Sequence, residues 1–479
     1  MSGSLQIAAI AALTALAGCS VAPLRDATNA TAARIEASSA VKAVWPPSGD
    51  SAGAEPEFAE PLTLAVALET AFARNPEIRR EYAQLGIAHG DLRDAARISN
   101  PTLSLAWLSP SGGGPDQTTQ GITASFADLL LLPAKRRLSA AEFRRVELEV
   151  GSALVTLARD VEAAWYAEVG AQQIAAMRAA VADASAQEGE LAKRYFDAGN
   201  ITRLQLDRQA AAAARAHVDA LRARSDAAES RARLANLLGL KEASAWRTVE
   251  HLDAPPSEAL SADSLTEGAL AGRLDLASAK EQVALLEDAL KVTSHWRLLG
   301  SLEAGYERER ELDGTKISGP TLALELPIFN QGQGAVARAE ARLLDARASA
   351  DGLALSVRND VSAGVKRLAL ARDVTERYRT EWLPAAESAV QRQQEQFNYM
   401  LVGAFELIQA KRDQYDAWQG YFESLRDYWM ARSELRAATG GLLPGDAEAT
   451  TPAPAPADVA PTAVDAPVPP PENHGDHQP

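Results

Sequence analysis

The chain has 479 residues, 47% of them hydrophobic but only 5% aromatic, which is enough apolar material for a large body packed on small side chains. Its formal net charge of −16 argues against a nucleic-acid partner, because neutralising phosphates needs a basic face that this sequence does not supply. A single cysteine excludes internal disulfides and thiolate metal clusters.

From the N-terminus, Leu5 to Ala17 is nearly all apolar but shorter than the ~20 residues a membrane-spanning helix needs. It ends in Leu16-Ala17-Gly18-Cys19, which matches the lipobox of bacterial lipoproteins. Residues 1–18 therefore read as a lipoprotein signal peptide, with Cys19 the lipidated first residue of the mature chain. Ser20 follows it, in place of the Asp that favours inner-membrane retention. Residues 1–18 contain no Lys or Arg, so the usual basic leader is missing. Residues 19–60 form a Ser/Ala/Pro-rich connector, and residues 444–479 a Pro/Ala-rich tail predicted to be disordered, since neither composition buries enough apolar surface to fold by itself.

Between these segments the chain repeats itself. Glu77 and Asp275, Gly121 and Gly319, and Glu142 and Glu340 differ by 198, whereas Phe196 and Phe397, Leu206 and Leu407, and Leu234 and Leu435 differ by 201. A period this long marks a duplicated half-domain, with three residues added inside the second copy. The first repeat covers 61–240, a linker 241–262, and the second repeat 263–443. Each begins with a short helix, continues through a strand pair at about 101–128 or 299–326, and ends in long helices. The first long helix is predicted from Ala134 to about Phe196, roughly 95 Å at 1.5 Å per residue, with Val161, Trp165 and Val169 as a packing stripe. In the second copy Pro384 should kink the helix or leave a carbonyl unpaired.

The strand pairs alternate in polarity. Leu103, Leu105 and Trp107 are set against Thr102, Ser104 and Ala106, and Ile122, Ala124 and Phe126 against Thr123 and Ser125. In the second copy Leu302, Ala304 and Tyr306 oppose Glu303, Gly305 and Glu307, and Leu322, Leu324 and Leu326 oppose Ala323 and Glu325. Such segments, about nine to eleven residues long, suit tilted strands crossing a bilayer, with Leu103, Leu105, Trp107, Ile122, Phe126, Leu322 and Leu324 toward lipid. Four strands cannot close a barrel, and open edges are not tolerated in lipid, so copies of the chain would have to share one. Two copies would give eight strands around a filled lumen, and three would give twelve with room for a channel. A helical bundle with two surface hairpins fits the same alternation.

Leu62-Thr63-Leu64 leading into Asn75-Pro76-Glu77, the Asn100-Pro101 lead-in to the first strand, and Leu326-Pro327-Ile328-Phe329-Asn330 followed by Gly332 and Gly334 occur in this order on the duplicated plan. Over residues 61 to 442 the set resembles the TolC family of outer-membrane efflux channels. The resemblance implies a mainly α fold with a membrane β-barrel: a trimeric, 12-stranded outer-membrane β-barrel continuous with a periplasmic α-helical barrel, built from an internal duplication. It implies a homotrimer in outer-membrane lipid that works with a periplasmic adaptor (membrane fusion protein) and an inner-membrane pump. Asn330-Gln331-Gly332-Gln333-Gly334 looks more like the cation-efflux branch, which serves heavy-metal exporters, than the multidrug branch. The resemblance also places adaptor-docking tips at Gly199 and Asn200 and at Val402, Gly403 and Ala404, with Gly199 and Gly403 expected to reverse the chain. Glu406, aligned with Gln205, falls at the periplasmic aperture, where three symmetry copies would attract cations.

Other chemistry finds little support. None of the six histidines has a Glu three residues before it, so the di-iron signature is absent. Gly112 to Gly114 lack a following Lys-Ser/Thr, and no nucleophile, base and orienter set stands out. The reading is of a passive duct with no catalytic residues, no cofactor and no resident metal. A lipid-anchored periplasmic helical scaffold without transport activity is the alternative.

Overall fold

The computed structural model describes residues 58, 60–241, 245–256, 260–441 and 443. The signal peptide, Cys19, the C-terminal tail and nearly all of the N-terminal connector lie outside them. In chain order the elements are α1 (Leu64–Arg74), α2 (Pro76–Ala95), β1 (Thr102–Leu108), β2 (Gln117–Ser125), α3 (Phe126–Asp197) and α4 (Arg203–Leu238). The second copy gives α5 (Ala262–Gly272), α6 (Leu274–Trp296), β3 (Leu302–Arg310), β4 (Lys316–Leu324), α7 (Gln333–Arg377), a π-helical turn (Tyr378–Trp382), α8 (Leu383–Asn398) and α9 (Ala404–Ala438).

The duplication is visible in the caps. Asn75 accepts from the Glu77 and Ile78 N–H groups at 2.8 and 3.3 Å to start α2, with Pro76 in the first turn where its missing donor is harmless. Its amide also donates to the Leu237 carbonyl at the far end of α4 (2.9 Å). In the second copy Arg273 takes that place, donating to the Ala438 carbonyl at the end of α9 (3.1 Å) and to Asp275 beside it (2.5 Å). The short helices of each repeat are thus pinned to the last turn of its long hairpin.

Helix α3 runs for 72 residues, about 108 Å. It starts earlier than its sequence suggests, because Ser125 caps it through the Asp128 N–H and the helix continues through Pro133. Phe126, expected in the strand, is therefore the first residue of α3. Around the middle of α3, Val161, Trp165 and Val169 are buried in one core with Leu62, Phe72, Leu85, Leu234 and Trp246. The expected linker contributes to that core: Trp246 packs beneath the Arg231 guanidinium at 3.8 Å, and Leu62 bridges to Thr248. A second core joins α5 and α7 to α9 through Leu265, Val361, Tyr428 and Leu435.

The three added residues of the second copy fall in the interval that contains the π turn, where the Leu383 N–H donates to the Tyr378 carbonyl five residues back. Pro384 follows at once, so the kink expected of it becomes a wider turn. The Tyr378 ring stacks on Trp382 at 5.0 Å and lies against Gly420 of α9, where no β-carbon fits. Helix packing runs α4, α3, α9, then α7 and α8. Salt bridges from Arg412 to Glu188 (3.0 Å) and from Arg436 to Glu162 (2.5 Å) tie α9 to α3. Among the described residues no helix is long and apolar enough to cross a membrane.

Glu168 sits fully buried on α3 with one oxygen accepting from Gln172 and the other without a hydrogen-bond partner. Burial raises its pKa above the usual carboxylate value, and Arg231 opposes the shift only in part. The folded chain therefore holds this proton to higher pH than the unfolded chain, and stability falls as pH rises from the unfolded value through the folded one. Glu168→Gln should melt at the same temperature as the parent near pH 4 and at a higher temperature near pH 7.5. Thermal scans at both values check the sign.

Candidate functional site

The two hairpins are not separate. The strands form one antiparallel sheet in the order β1-β2-β3-β4, with Ile122 facing Tyr306 and Ala124 facing Ala304 across the join between repeats. Directly opposed residues share a face, so the register sorts the sheet into two surfaces. One carries Leu103, Leu105 and Trp107 of β1, Ile122 and Ala124 of β2, Leu302, Ala304 and Tyr306 of β3, and Leu322 and Leu324 of β4. Of these, Leu103, Leu105, Trp107, Ile122, Tyr306, Leu322 and Leu324 are large exposed hydrophobics. Toward the turns this face becomes polar, with Arg308, Arg310 and Lys316.

The opposite surface carries Ser104, Thr119, Thr123, Ser125 and Thr321 with Glu303, Glu307 and Glu309 of β3. Gln117 bonds to Glu309 across the β2–β3 join. This side is crowded. A β-carbon on Gly305 would lie 2.7 Å from both the Ile122 carbonyl and the Thr321 hydroxyl, and one on Gly121 2.6 Å from the Ser104 hydroxyl. Glycine at these two positions lets the neighbouring strands and the Ser104 and Thr321 side chains approach more closely than a β-carbon would allow. Among the described residues β1 and β4 each have one strand neighbour, so both edges are open.

At the other end of the long helices are the two tip turns. In the first, Gly199 adopts φ +76°, with its N–H on the Phe196 carbonyl (2.9 Å) and the Asn200 N–H on the Tyr195 carbonyl (2.8 Å). Thr202 then caps α4 and exchanges hydrogen bonds with Gln205. In the second, the left-handed residue is not Gly403, as the sequence suggested, but Met400 at φ +58°. Gly403 has φ −81° and ψ 166°, ordinary extended backbone, and occupies the cap position that Thr202 holds in the first copy. Val402 precedes it, half-buried, and Ala404 opens α9. Glu406 lies in the first turn of α9, and its carboxylate is 2.8 Å from where a Gly403 β-carbon would be. The 201-residue offset aligns Gly199 with Met400 and Thr202 with Gly403, a signal present in the sequence but hidden by the nearby glycine. In Asn330 to Gly334, Gly332 takes φ +75° against Arg297, and Asn330 accepts from the Gly332 N–H at 3.1 Å. That stretch shapes the start of α7.

No protein-family model matches the chain, and no curated protein matches it in sequence. Solved structures do match. The outer-membrane protein VceC of Vibrio cholerae is 17% identical, with a TM-score of 0.60 over 79% of this chain and 96% of that one. The open-state MtrE outer-membrane channel of Neisseria gonorrhoeae is 15% identical, with a TM-score of 0.63 over 83% and 98%. CusC, whose structures concern transmembrane channel formation, is 14% identical, with a TM-score of 0.65 over 84% and 100%. At these identities the likeness is one of fold. The neighbours are channel proteins rather than enzymes.

Gly305→Val should force β2 and β4 away from β3 and sharply lower the amount of folded β-structure, read from the amide-I infrared band in vesicles. Thr119→Val, on the same face, preserves shape and should fold like the parent. Equal folding of both variants would show that the polar side is not the crowded one.

Proposed function

We propose that this chain, which carries the fold of the TolC-family outer-membrane channels, is the outer-membrane exit duct of a tripartite efflux pump. The observation that carries the reading is a two-faced sheet, apolar on one surface and polar on the other, with both edges open and β2 feeding directly into a helix about 108 Å long. In lipid the edges of β1 and β4 must be paired, and the two run antiparallel, so any whole number of copies closes an antiparallel barrel. Three copies give twelve strands, enough for an open lumen where eight would be filled. The helix layer is open in the same sense: the outermost helices α4 and α7 expose Leu204 and Leu221, and Leu344, Leu355 and Leu370.

In this reading the homotrimer stands in the outer membrane, anchored also through acyl chains on Cys19, and conducts substrate passively. A periplasmic adaptor meets the tips at Gly199–Asn200 and Val402–Ala404, and an inner-membrane pump supplies energy and substrate choice. The proposed cargo is cationic, of the heavy-metal class: the polar sheet face carries Glu303, Glu307 and Glu309 per chain, and Glu406 stands at the far end beside the tip. The purified protein in a planar bilayer tests the reading. Trimers that conduct, with cations preferred, support it; a monomer that stays in solution once Cys19 is removed would point to the helical scaffold instead.

Ile122→Arg, on the apolar face inside the sheet between Leu103 and Tyr306, should cost about 2 to 4 kcal/mol and reduce trimer yield, and Leu324→Arg at the end of β4 should reduce it less, whereas Ser104→Arg on the polar face should cost least. Semi-native gels of membrane fractions compare the three.

The tip gives a second test. Because Gly403 has ordinary backbone angles and a side chain there meets only the end of Glu406, Gly403→Trp should leave trimers intact while export fails. Glu406→Gln should reduce cation selectivity in single-channel recordings, most at low salt where charge is least screened.

A further inference from the structure

The two tips of the duplicated chain serve as controls for each other. Their backbones make the same turn: the Met400 N–H reaches the Phe397 carbonyl and the Leu401 N–H the Gln396 carbonyl, both at 2.9 Å, as Gly199 and Asn200 do in the first copy. The first copy places glycine at the left-handed position and closes the following helix with a reciprocal Thr202–Gln205 cap. The second places methionine there and begins α9 on Gly403 without a side-chain cap. Among the described residues Met400 is the one non-glycine residue with positive φ. A left-handed conformation crowds any β-carbon, so glycine is favoured there and methionine is held against a local penalty.

The Met400 side chain does nothing inside the chain to offset that penalty. It is 93% exposed, and its neighbours Tyr399 and Leu401 are 78% and 74% exposed. The corresponding residues of the first tip are Ala198, Gly199 and Asn200, small or polar. A strained residue kept at a working end is kept for what its side chain touches, and methionine is flexible and polarisable enough to fit an irregular apolar surface.

We infer that Met400 is a specificity-determining residue of the docking tip, making apolar contact, with Tyr399 and Leu401, to an apolar surface of the periplasmic adaptor. This rests on the reading that the tips dock an adaptor. The first tip, which lacks the apolar triad, contributes shape and backbone but little discrimination.

The test uses the full-length channel in detergent and, as probe, the purified adaptor whose deletion abolishes export through this channel. Met400→Gly should leave the melting temperature unchanged or raise it, and weaken adaptor binding by about 10-fold or more. Met400→Leu, which keeps an apolar side chain on the same turn, should bind within about 3-fold of the parent. Gly199→Met should lower the melting temperature and leave binding nearly unchanged. A Met400→Gly channel that binds like the parent, or that melts lower, overturns the inference while the docking reading stands. A parent channel that does not bind the adaptor overturns both.

Discussion

Unpaired backbone at a strand edge is tolerable in water and prohibitive in hydrocarbon, where no solvent hydrogen bond replaces the missing one. The four strands of this chain present a wide apolar surface and leave β1 and β4 open, so the surface that suits lipid is the one the edges forbid to a lone chain. The remaining architecture follows from resolving that conflict. β2 passes into α3 with no intervening loop, which fixes the direction of a very long helix by the tilt of a strand. The helix layer likewise has outer members, with leucines exposed on α4 and α7 as the strand edges are exposed on β1 and β4. In the proposed assembly one set of neighbouring copies would satisfy both layers.

Duplication supplies the plan, and the differences between copies show where the halves take on separate work. The caps joining short helices to hairpin ends are kept with different chemistry, Asn75 in one copy and Arg273 in the other. The long helix is unbroken in the first copy and passes through a π turn in the second, with Tyr378 lodged against Gly420. The first tip is relaxed and capped, whereas the second is strained, uncapped and apolar. The added residues, the irregular turn and the strained tip all fall in the second copy.

Much of this was legible in the sequence because it depends on period. Alternation by two gave the sheet faces, helical spacing gave the Val161, Trp165 and Val169 stripe, and the shift from 198 to 201 located the irregularity in the second long helix. What period does not carry was missed. Phe126 continues the strand alternation, yet Ser125 turns it into a helix start through one side-chain hydrogen bond. Trp246 lies in a stretch with loop composition but is buried, because a cation over its ring and the Leu62 segment cover it. Gly403 drew attention as a glycine near a reversal, while the residue that turns the chain was a methionine, against propensity. Conflicts of this kind between local preference and final conformation gather where a protein meets something else.

The bond from Asn75 to Leu237 joins residues 162 apart, and that from Arg273 to Ala438 joins residues 165 apart. Neither pair of short helices can seat itself until the whole hairpin between has been made and folded back, and closing so large a loop is slow to be rewarded. Both strands of a repeat lie inside that loop. They must therefore wait, greasy side bare and edges open, until the last turn of the hairpin arrives. Assembly of this chain is a race between closure of each repeat and aggregation of its own strands.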